Sequence, residues 1–120
     1  MATRSVVRTQ IGPAHRFVWT GLRNGDDGEV ISIPGAADVT VQMIVVAAGT
    51  GDTLIFEGTL EELPATNFFT LRDGGDNLIS FTGADGEAVA PIAAGMRPSV
   101  TAGDATTNLT AILLARSTMR

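Results

Sequence analysis

The sequence predicts an all-β protein: an antiparallel β-sandwich of Greek-key or jelly-roll type with about eight or nine short strands. Fourteen glycines and five prolines interrupt the 120 residues, so that turn formers recur every few residues. The stretches between them are rich in Val, Ile, Thr and Phe, which suit a pleated, half-buried surface. Tight turns between consecutive strands favour antiparallel pairing, because parallel pairs need long crossovers.

Alternating apolar residues define the first four strands, which we predict at residues 16–22, 29–33, 39–46 and 53–59. One face of each strand carries apolar residues two positions apart: Phe17 and Trp19, Ile31 and Ile33, Val39 and Val41, Leu54 and Phe56. The third strand becomes apolar on both faces at Ile44 and Val46, as expected of a buried end. Turn-forming residues at 24–28, 34–35 and 48–52 separate these strands.

The second half of the chain continues the pattern, with strands predicted at residues 67–72, 77–82, 87–93, 98–102 and 107–116. Turns rich in Asp and Gly lie at 73–76, 83–86 and 103–104. In the last strand Leu109, Ala111 and Leu113 alternate with Thr110, Ile112 and Leu114. We predict no helix, because the only helix-compatible stretches are too short or too broken.

The first thirteen residues differ from the rest, and we predict an extended N-terminal arm at 1–13 and the β-sandwich domain at 14–120. Residues 3–9 look extended, and Ile11-Gly12-Pro13 separates them from the first predicted strand. Such a segment either stays loose, as termini usually do, or orders against a neighbour.

Composition excludes several classes of partner. The chain has eight arginines, no lysine and thirteen carboxylates, for a net charge of −5, so we expect no nucleic acid partner. The longest nearly apolar run, residues 43–48, is far shorter than a membrane span, so we expect no membrane partner. No secretory signal pattern follows the basic N-terminus, so we expect a cytoplasm-like compartment of synthesis.

Catalytic and metal-binding groups are scarce. With no cysteine and a single histidine, His15, the chain lacks the ligands of a zinc site, and none of its serines lies in a G-x-S-x-G context. Acidic turns at 26–29 and 73–76 leave calcium open, but Asp and Asn are also common turn formers. We therefore expect no enzyme, no catalytic or metal-binding residues and no cofactor.

Apolar character is high for a small acidic chain, with 44% hydrophobic and 18% charged residues. Large apolar patches on soluble folds usually mark interaction sites. The last strand is apolar on both faces, and we take Leu109, Ile112 and Leu114 as candidate self-association residues. A carbohydrate-binding module stays open as an alternative, with Trp19, Phe68 and Phe69 as stacking residues, although aromatics make up only 5% of the chain.

Four segments carry a resemblance to a known group of proteins: residues 19–28, 30–34, 38–42 and 97–110. Their order resembles small structural proteins of tailed bacteriophages that are encoded beside the major capsid protein and serve as head decoration, or cement, proteins. The resemblance spans about residues 17–116. Residues 58–64 depart from the pattern, where relatives carry a Gly-Ser-Asn-Asp-Gly turn followed by tryptophan.

The resemblance implies a non-enzymatic virion protein that binds the major capsid protein on the outer capsid surface and bridges its subunits, commonly as a homotrimer. Assembly would take place in the cytoplasm of the host bacterium. On this interpretation the arm binds the capsid: Arg4 and Arg8 pair with capsid carboxylates, while Val6 and Val7 fill a groove or add a strand to a sheet edge. A tail or head–tail connector component is a further alternative, which would form rings of six or twelve.

Overall fold

Two β-sheets pack face to face around one hydrophobic core in the computed structural model, which describes residues 2–32, 36–90 and 93–117. The described residues form twelve strands, which in chain order are β1 (Thr3–Arg4), β2 (Val6–Ile11), β3 (Ala14–Leu22), β4 (Asp27–Gly28), β5 (Ile31–Ser32), β6 (Ala36–Ala47), β7 (Thr53–Thr59), β8 (Phe69–Thr70), β9 (Ser80–Phe81), β10 (Asp85–Val89), β11 (Gly95–Ala102) and β12 (Asn108–Ser117). The prediction of an all-β sandwich is confirmed. No described residue belongs to a helix, so none of them forms an apolar helix long enough to cross a bilayer.

The five-stranded sheet contains the long strands in the order β10-β6-β12-β3-β2, and every neighbouring pair is antiparallel. The seven-stranded sheet follows the order β1-β4-β11-β7-β8, with β5 also pairing with β11 and β9 with β7. Only β1 and β4 run parallel among the described strands. Strand β12 therefore lies in the centre of its sheet, between β6 and β3.

The core contains the inward-pointing residues of both sheets, and the predicted alternation is confirmed. The apolar residues of the long strands with no exposed surface are Trp19, Leu22, Val39, Val41, Met43, Leu54, Phe56, Met96, Leu109, Ala111 and Leu113. The Trp19 ring lies edge-on to Phe56, with centroids 6.4 Å apart, and its indole N–H donates a 3.0 Å hydrogen bond to the carbonyl of Glu29. This bond satisfies the one polar group of a side chain with no exposed surface.

Two glycines allow the sheets to fit around Trp19. Gly21 has a φ of 67° at the point where the pairing of β3 with β12 shifts register, and glycine adopts this conformation without strain. A Cβ atom on Gly28 would lie 2.5 Å from Pro98 and 2.7 Å from Trp19, so β4 approaches the core more closely than a side chain permits.

Several boundaries differ from the predicted ones. Strand β7 has the predicted bounds, whereas 67–72 and 77–82 contain only the two-residue strands β8 and β9. Residues 27–32 form two short strands, and the predicted end of that segment at 33–35 lies outside the described residues. The predicted strand at 87–93 occurs at Asp85–Val89, and residues 91–92 are also outside the described part.

Candidate functional site

The outer face of the five-stranded sheet is a broad surface with few charged residues. Its outward-pointing residues are, by strand, Val7, Thr9 and Ile11; Ala14, Arg16, Val18 and Thr20; Asp38, Thr40, Gln42, Ile44 and Val46; Gly86 and Ala88; Thr110, Ile112, Leu114 and Arg116. We call this set the outer sheet face. The register places Val7 beside Val18 and Val18 beside Ile112, so one apolar row crosses three strands.

Charge on the outer sheet face is confined to one end. Asp38 is the only carboxylate of the set, and Arg116 binds it through two hydrogen bonds of 3.0 Å from Nε and Nη2. These bonds hold the pKa of Asp38 below its ordinary value and raise that of Arg116. Arg16 remains as a half-buried cation beside Leu114. The outer sheet face therefore carries no net negative charge, although the whole protein has a net charge of −5.

A shallow groove of about 370 Å³ follows the outer sheet face, lined by Ile11, Arg16, Thr40, Gln42, Ile112 and Leu114. Several apolar side chains of the face are exposed, among them Val7 at 63%, Ile11 at 55% and Val46 at 62%. An apolar, nearly uncharged surface of this kind is suited to covering by another protein.

The predicted N-terminal arm is extended, and it pairs with both sheets of its own domain. Strand β1 lies beside β4 in the seven-stranded sheet, and β2 is the edge strand next to β3 in the five-stranded sheet. The N–H of Asp27 donates to the carbonyl of Ala2, and the N–H of Glu29 donates to the carbonyl of Arg4. The segment before residue 14 is thus continuous with the sandwich.

Asp26 is the anchor of this segment. Its carboxylate, 3% exposed, accepts hydrogen bonds from the N–H of Ala2 at 3.0 Å, the N–H of Arg23 at 2.9 Å and the Arg4 guanidinium at 2.7 Å. Burial acts to raise the pKa of Asp26, but the donors on Arg23, Arg4 and Ala2 outweigh it and hold the pKa below its ordinary value. The Asp26 carboxylate is therefore ionised at neutral pH, and its hydrogen-bond donors all come from this chain.

The four residues predicted for capsid binding have different surroundings. The Arg4 side chain pairs with Asp26, and Val6 packs against the core while its N–H donates to Glu29. Arg8 is exposed, and its guanidinium lies 5.4 Å from the centroid of the Phe17 ring. Val7 and Arg8 are thus accessible to a partner, whereas Arg4 and Val6 are engaged inside the domain.

The three candidate self-association residues lie on two different sides of the five-stranded sheet. Leu109 has no exposed surface and belongs to the core, so this residue must be corrected from a surface to a core position. Ile112 and Leu114 point the other way and are half-buried on the outer sheet face. The cause is the two-residue period of β12, which places odd and even positions on opposite sides.

A polar cluster on the outside of the seven-stranded sheet is a feature that the sequence analysis missed. Arg97 pairs with Glu57 at 3.0 Å and with Asp27 at 3.6 Å, and Phe68 covers its guanidinium at 3.7 Å from the ring centroid. Ser99 donates a 2.7 Å hydrogen bond to Asp27. The cation–aromatic contact joins residues 29 positions apart, so no local spacing signals it.

Exposed apolar residues near residue 60 form a second, smaller group. Leu60 is 77% exposed, Leu63 42% and Phe69 43%, in the region where the sequence departs from the decoration-protein pattern. Glu61 binds the N–H groups of Thr66 and Asn67, and the bond from Asn67 leads the interactions that lower its pKa. The loop therefore has its own internal hydrogen bonds.

Metal ligands do not cluster in the described ranges: no group of three or more His, Asp or Glu residues there is placed to hold an ion. His15 lies on β3, and the Ser99–Asp27 pair belongs to the other sheet.

Among known proteins, the chain is similar in fold to solved structures. No protein-family profile matches the sequence, and no curated protein matches it. The solved structure of the SPBc2 prophage-derived protein YomS is similar over 91% of this chain and 99% of that one, with 15% identity and a TM-score of 0.59. Protein NMB1881 from Neisseria meningitidis aligns over 93% of this chain and 82% of its own, with 12% identity and a TM-score of 0.43. The chain thus has the same overall fold as a prophage-derived protein.

Proposed function

We propose that this protein is a non-enzymatic structural protein of a tailed bacteriophage that binds the outer surface of the capsid and stabilises it by bridging copies of the major capsid protein. The observation that carries the proposal is the outer sheet face: a broad surface of apolar and uncharged polar residues, whose single carboxylate is paired with Arg116, on an otherwise acidic protein. It is a surface suited to lying against a protein shell.

Two further observations support a phage origin. The fold is similar to that of a prophage-derived protein over nearly the whole of both chains. The sequence also resembles decoration proteins in the segments at 19–28, 38–42 and 97–110. The two likenesses rest on different properties, the backbone and the residue pattern.

The proposed contact with the capsid differs from a free arm. Val7 lies beside Val18 in the apolar row that continues to Ile112, so the accessible part of the N-terminal segment and the centre of the sheet form one surface. Capsid binding by the outer sheet face therefore needs no release of β2. Many copies on one shell add modest contacts into high avidity.

A homotrimer is the proposed assembly, because a cyclic trimer matches the local threefold positions of a capsid. Bound there, each trimer would contact several capsid subunits at once. The proposed location is accordingly the outer surface of the virion, reached in the cytoplasm of the infected bacterium.

The test is co-sedimentation of the purified full chain with undecorated heads assembled from the major capsid protein of the same phage. We expect saturable binding and heads that withstand heating or low salt better than undecorated ones. Leu114→Glu places a carboxylate opposite Arg16, so the fold gains a cross-strand pair while the outer sheet face acquires a negative charge. Binding of this variant should fall at least about tenfold.

The matched control is Leu60→Glu, the same substitution at a side chain that is 77% exposed. Leu60 directly follows β7 of the seven-stranded sheet and is not part of the outer sheet face. It should bind heads like the unaltered protein. Failure of the unaltered chain to bind heads of its own phage would overturn the proposed function. Equal loss in both variants would overturn the role of the outer sheet face.

A further inference from the structure

Arg16 differs from the other half-buried arginines of the described chain, Arg4 and Arg97. Arg4 pairs with Asp26 at 2.7 Å, and Arg97 pairs with Glu57 at 3.0 Å. Among the described residues, no ion pair, side-chain hydrogen bond or aromatic contact involves the Arg16 guanidinium. A guanidinium that loses part of its hydration without gaining an anion is unfavourable, so this position favours an anion supplied from outside.

The groups around Arg16 on the outer sheet face supply no free anion. In register, Arg16 lies between Thr9 of β2 and Leu114 of β12, and its neighbours on the same side of β3 are uncharged. Asp38 is the one carboxylate of the face, and it lies in the next row of the sheet. Both of its oxygens accept 3.0 Å hydrogen bonds from Arg116. The charge of Arg16 is therefore uncompensated on this face.

The shallow groove of the outer sheet face passes over Arg16. Four adjacent strands line it, with Ile11 from β2, Arg16 from β3, Ile112 and Leu114 from β12, and Thr40 and Gln42 from β6. Adjacent strands lie about 4.8 Å apart, so the groove crosses about 14 Å, the length of about four residues of extended chain. The cation thus lies between apolar side chains of β2 and β12, inside a groove that fits a short peptide segment.

We infer that this groove binds a short extended segment of the major capsid protein that carries an Asp or Glu side chain, and that this carboxylate pairs with Arg16. The inference rests on the proposed function, since the groove belongs to the surface assigned there to the capsid. It adds the chemistry of the capsid segment and the residue that recognises it. Apolar side chains beside the carboxylate cover Ile112 and Leu114, and Thr40 and Gln42 offer hydrogen bonds to the segment.

A carboxylate suits Arg16 better than a nucleic acid phosphate does. The planar guanidinium binds a carboxylate through two parallel hydrogen bonds, which fixes the position of the bound segment. Binding to nucleic acid needs several cations along the phosphate backbone, whereas this groove contains a single arginine on a protein of net charge −5. Cover by apolar side chains also excludes water from the pair and so strengthens it.

The first test is co-sedimentation of the full chain with undecorated heads of the same phage. Arg16→Gln should weaken binding about tenfold or more, because the capsid carboxylate is then covered without a partner. Arg16→Lys keeps the charge but loses the paired geometry, so its affinity should lie between the two. Added salt should weaken binding of the unaltered protein more than binding of Arg16→Gln.

The second test identifies the partner, and it uses the absence of lysine from the sequence. Arg16→Lys introduces the only side-chain amine of the chain. A water-soluble carbodiimide couples an amine to a carboxylate in direct contact with it, so treatment of decorated heads should join this position to an Asp or Glu of the capsid protein. Mass spectrometry of the digested product names that residue. Its replacement by arginine in the capsid should restore binding of Arg16→Glu.

Arg23 provides the matched controls. It is exposed, it is not part of the outer sheet face, and its backbone N–H binds Asp26 in the turn before β4. Arg23→Gln should bind heads like the unaltered protein, and Arg23→Lys should give no coupled capsid product. Circular dichroism should show every variant folded, since each substitution keeps a linear side chain at its position.

The outcomes separate this inference from the proposed function. If the unaltered chain binds heads and Arg16→Gln binds them equally well, the inference is overturned and the proposed function stands. A carbodiimide product that joins two copies of this chain, with none to the capsid protein, also overturns it, because the occupant of the groove is then a second copy. An unaltered chain that binds no heads refutes the proposed function itself.

Discussion

Arg4 donates a 2.7 Å hydrogen bond from its guanidinium Nε to the carboxylate of Asp26, 22 positions further along the chain. The same carboxylate binds the backbone N–H groups of Ala2 and Arg23. This contact fastens β1 to the turn that precedes β4, so a buried acid decides where the N-terminal segment lies.

Asp26→Asn should destabilise the fold by about 2 to 4 kcal/mol at neutral pH, because it leaves Arg4 without its anion and replaces one acceptor oxygen by a donor. Urea unfolding of both proteins measures the difference. Asp38→Asn is the comparison, since Asp38 is exposed and pairs with a single exposed arginine. Its effect should be clearly smaller.

The pH dependence of that difference has a definite sign. The pKa of Asp26 is lowered in the folded protein, so its stabilisation is complete above the unfolded-state value of about 3.9 and is lost as the pH falls from there through the lower folded-state pKa. The gap between native protein and Asp26→Asn should therefore narrow on acidification below about pH 4. A gap that widened in acid would contradict this assignment.

Gly28→Ala should destabilise by about 1 to 3 kcal/mol, since the new methyl group would overlap Pro98 and Trp19. Thermal unfolding followed by Trp19 fluorescence reports both the loss and any displacement of the indole. Gly74→Ala adds the same methyl group where no atom lies within 4 Å and should leave the midpoint almost unchanged.

Thr107→Val should cost about 1 to 3 kcal/mol while preserving side-chain shape. The fully buried Thr107 hydroxyl donates to the buried Asp52 and accepts the N–H of the half-buried Asp104, so valine removes a hydrogen-bond partner from both groups. Thr106→Val is the neighbouring control, because Thr106 is exposed. Equal unfolding free energies for the two variants would count against this hydrogen-bond network.

Deleting residues 1–12 should lower stability by about 3 kcal/mol or more, because it removes an edge strand and the contact of Val6 with the core. Calorimetry on the shortened chain measures this. A truncated protein as stable as the intact one would show that β1 and β2 are dispensable, contrary to their pairing in the two sheets.

Much of the fold follows from local pattern. The alternation through residues 39–43 and 109–113 assigns the correct inward faces, because the period of a strand is fixed at two residues. The short strands β1, β4, β8 and β9 are too brief for any period, and only their pairing partners make them strands. The described residues form twelve strands where eight or nine are predicted, because β1 and β2 lie in the segment predicted as an arm and β4 lies in the turn predicted at 24–28.

The candidate site was less accessible to sequence reasoning. The residue types at 24–28 predict a turn, but the role of Asp26 depends on Arg4, a partner that no spacing rule connects to it. Leu109, Ile112 and Leu114 are equally apolar in the sequence, yet Leu109 faces the core and the other two face outward. Long-range pairing decides such cases, and it enters only with the tertiary structure.

The central position of β12 has a consequence for synthesis on the ribosome. Strands β3 and β6 are synthesised early, but both can pair with β12 only when residues 108–117 have left the exit tunnel. Until then β3 and β6 lack the strand that lies between them, so the five-stranded sheet can be completed only at the end of synthesis. A nascent chain halted before Asn108 would accordingly be a target for chaperones and proteases.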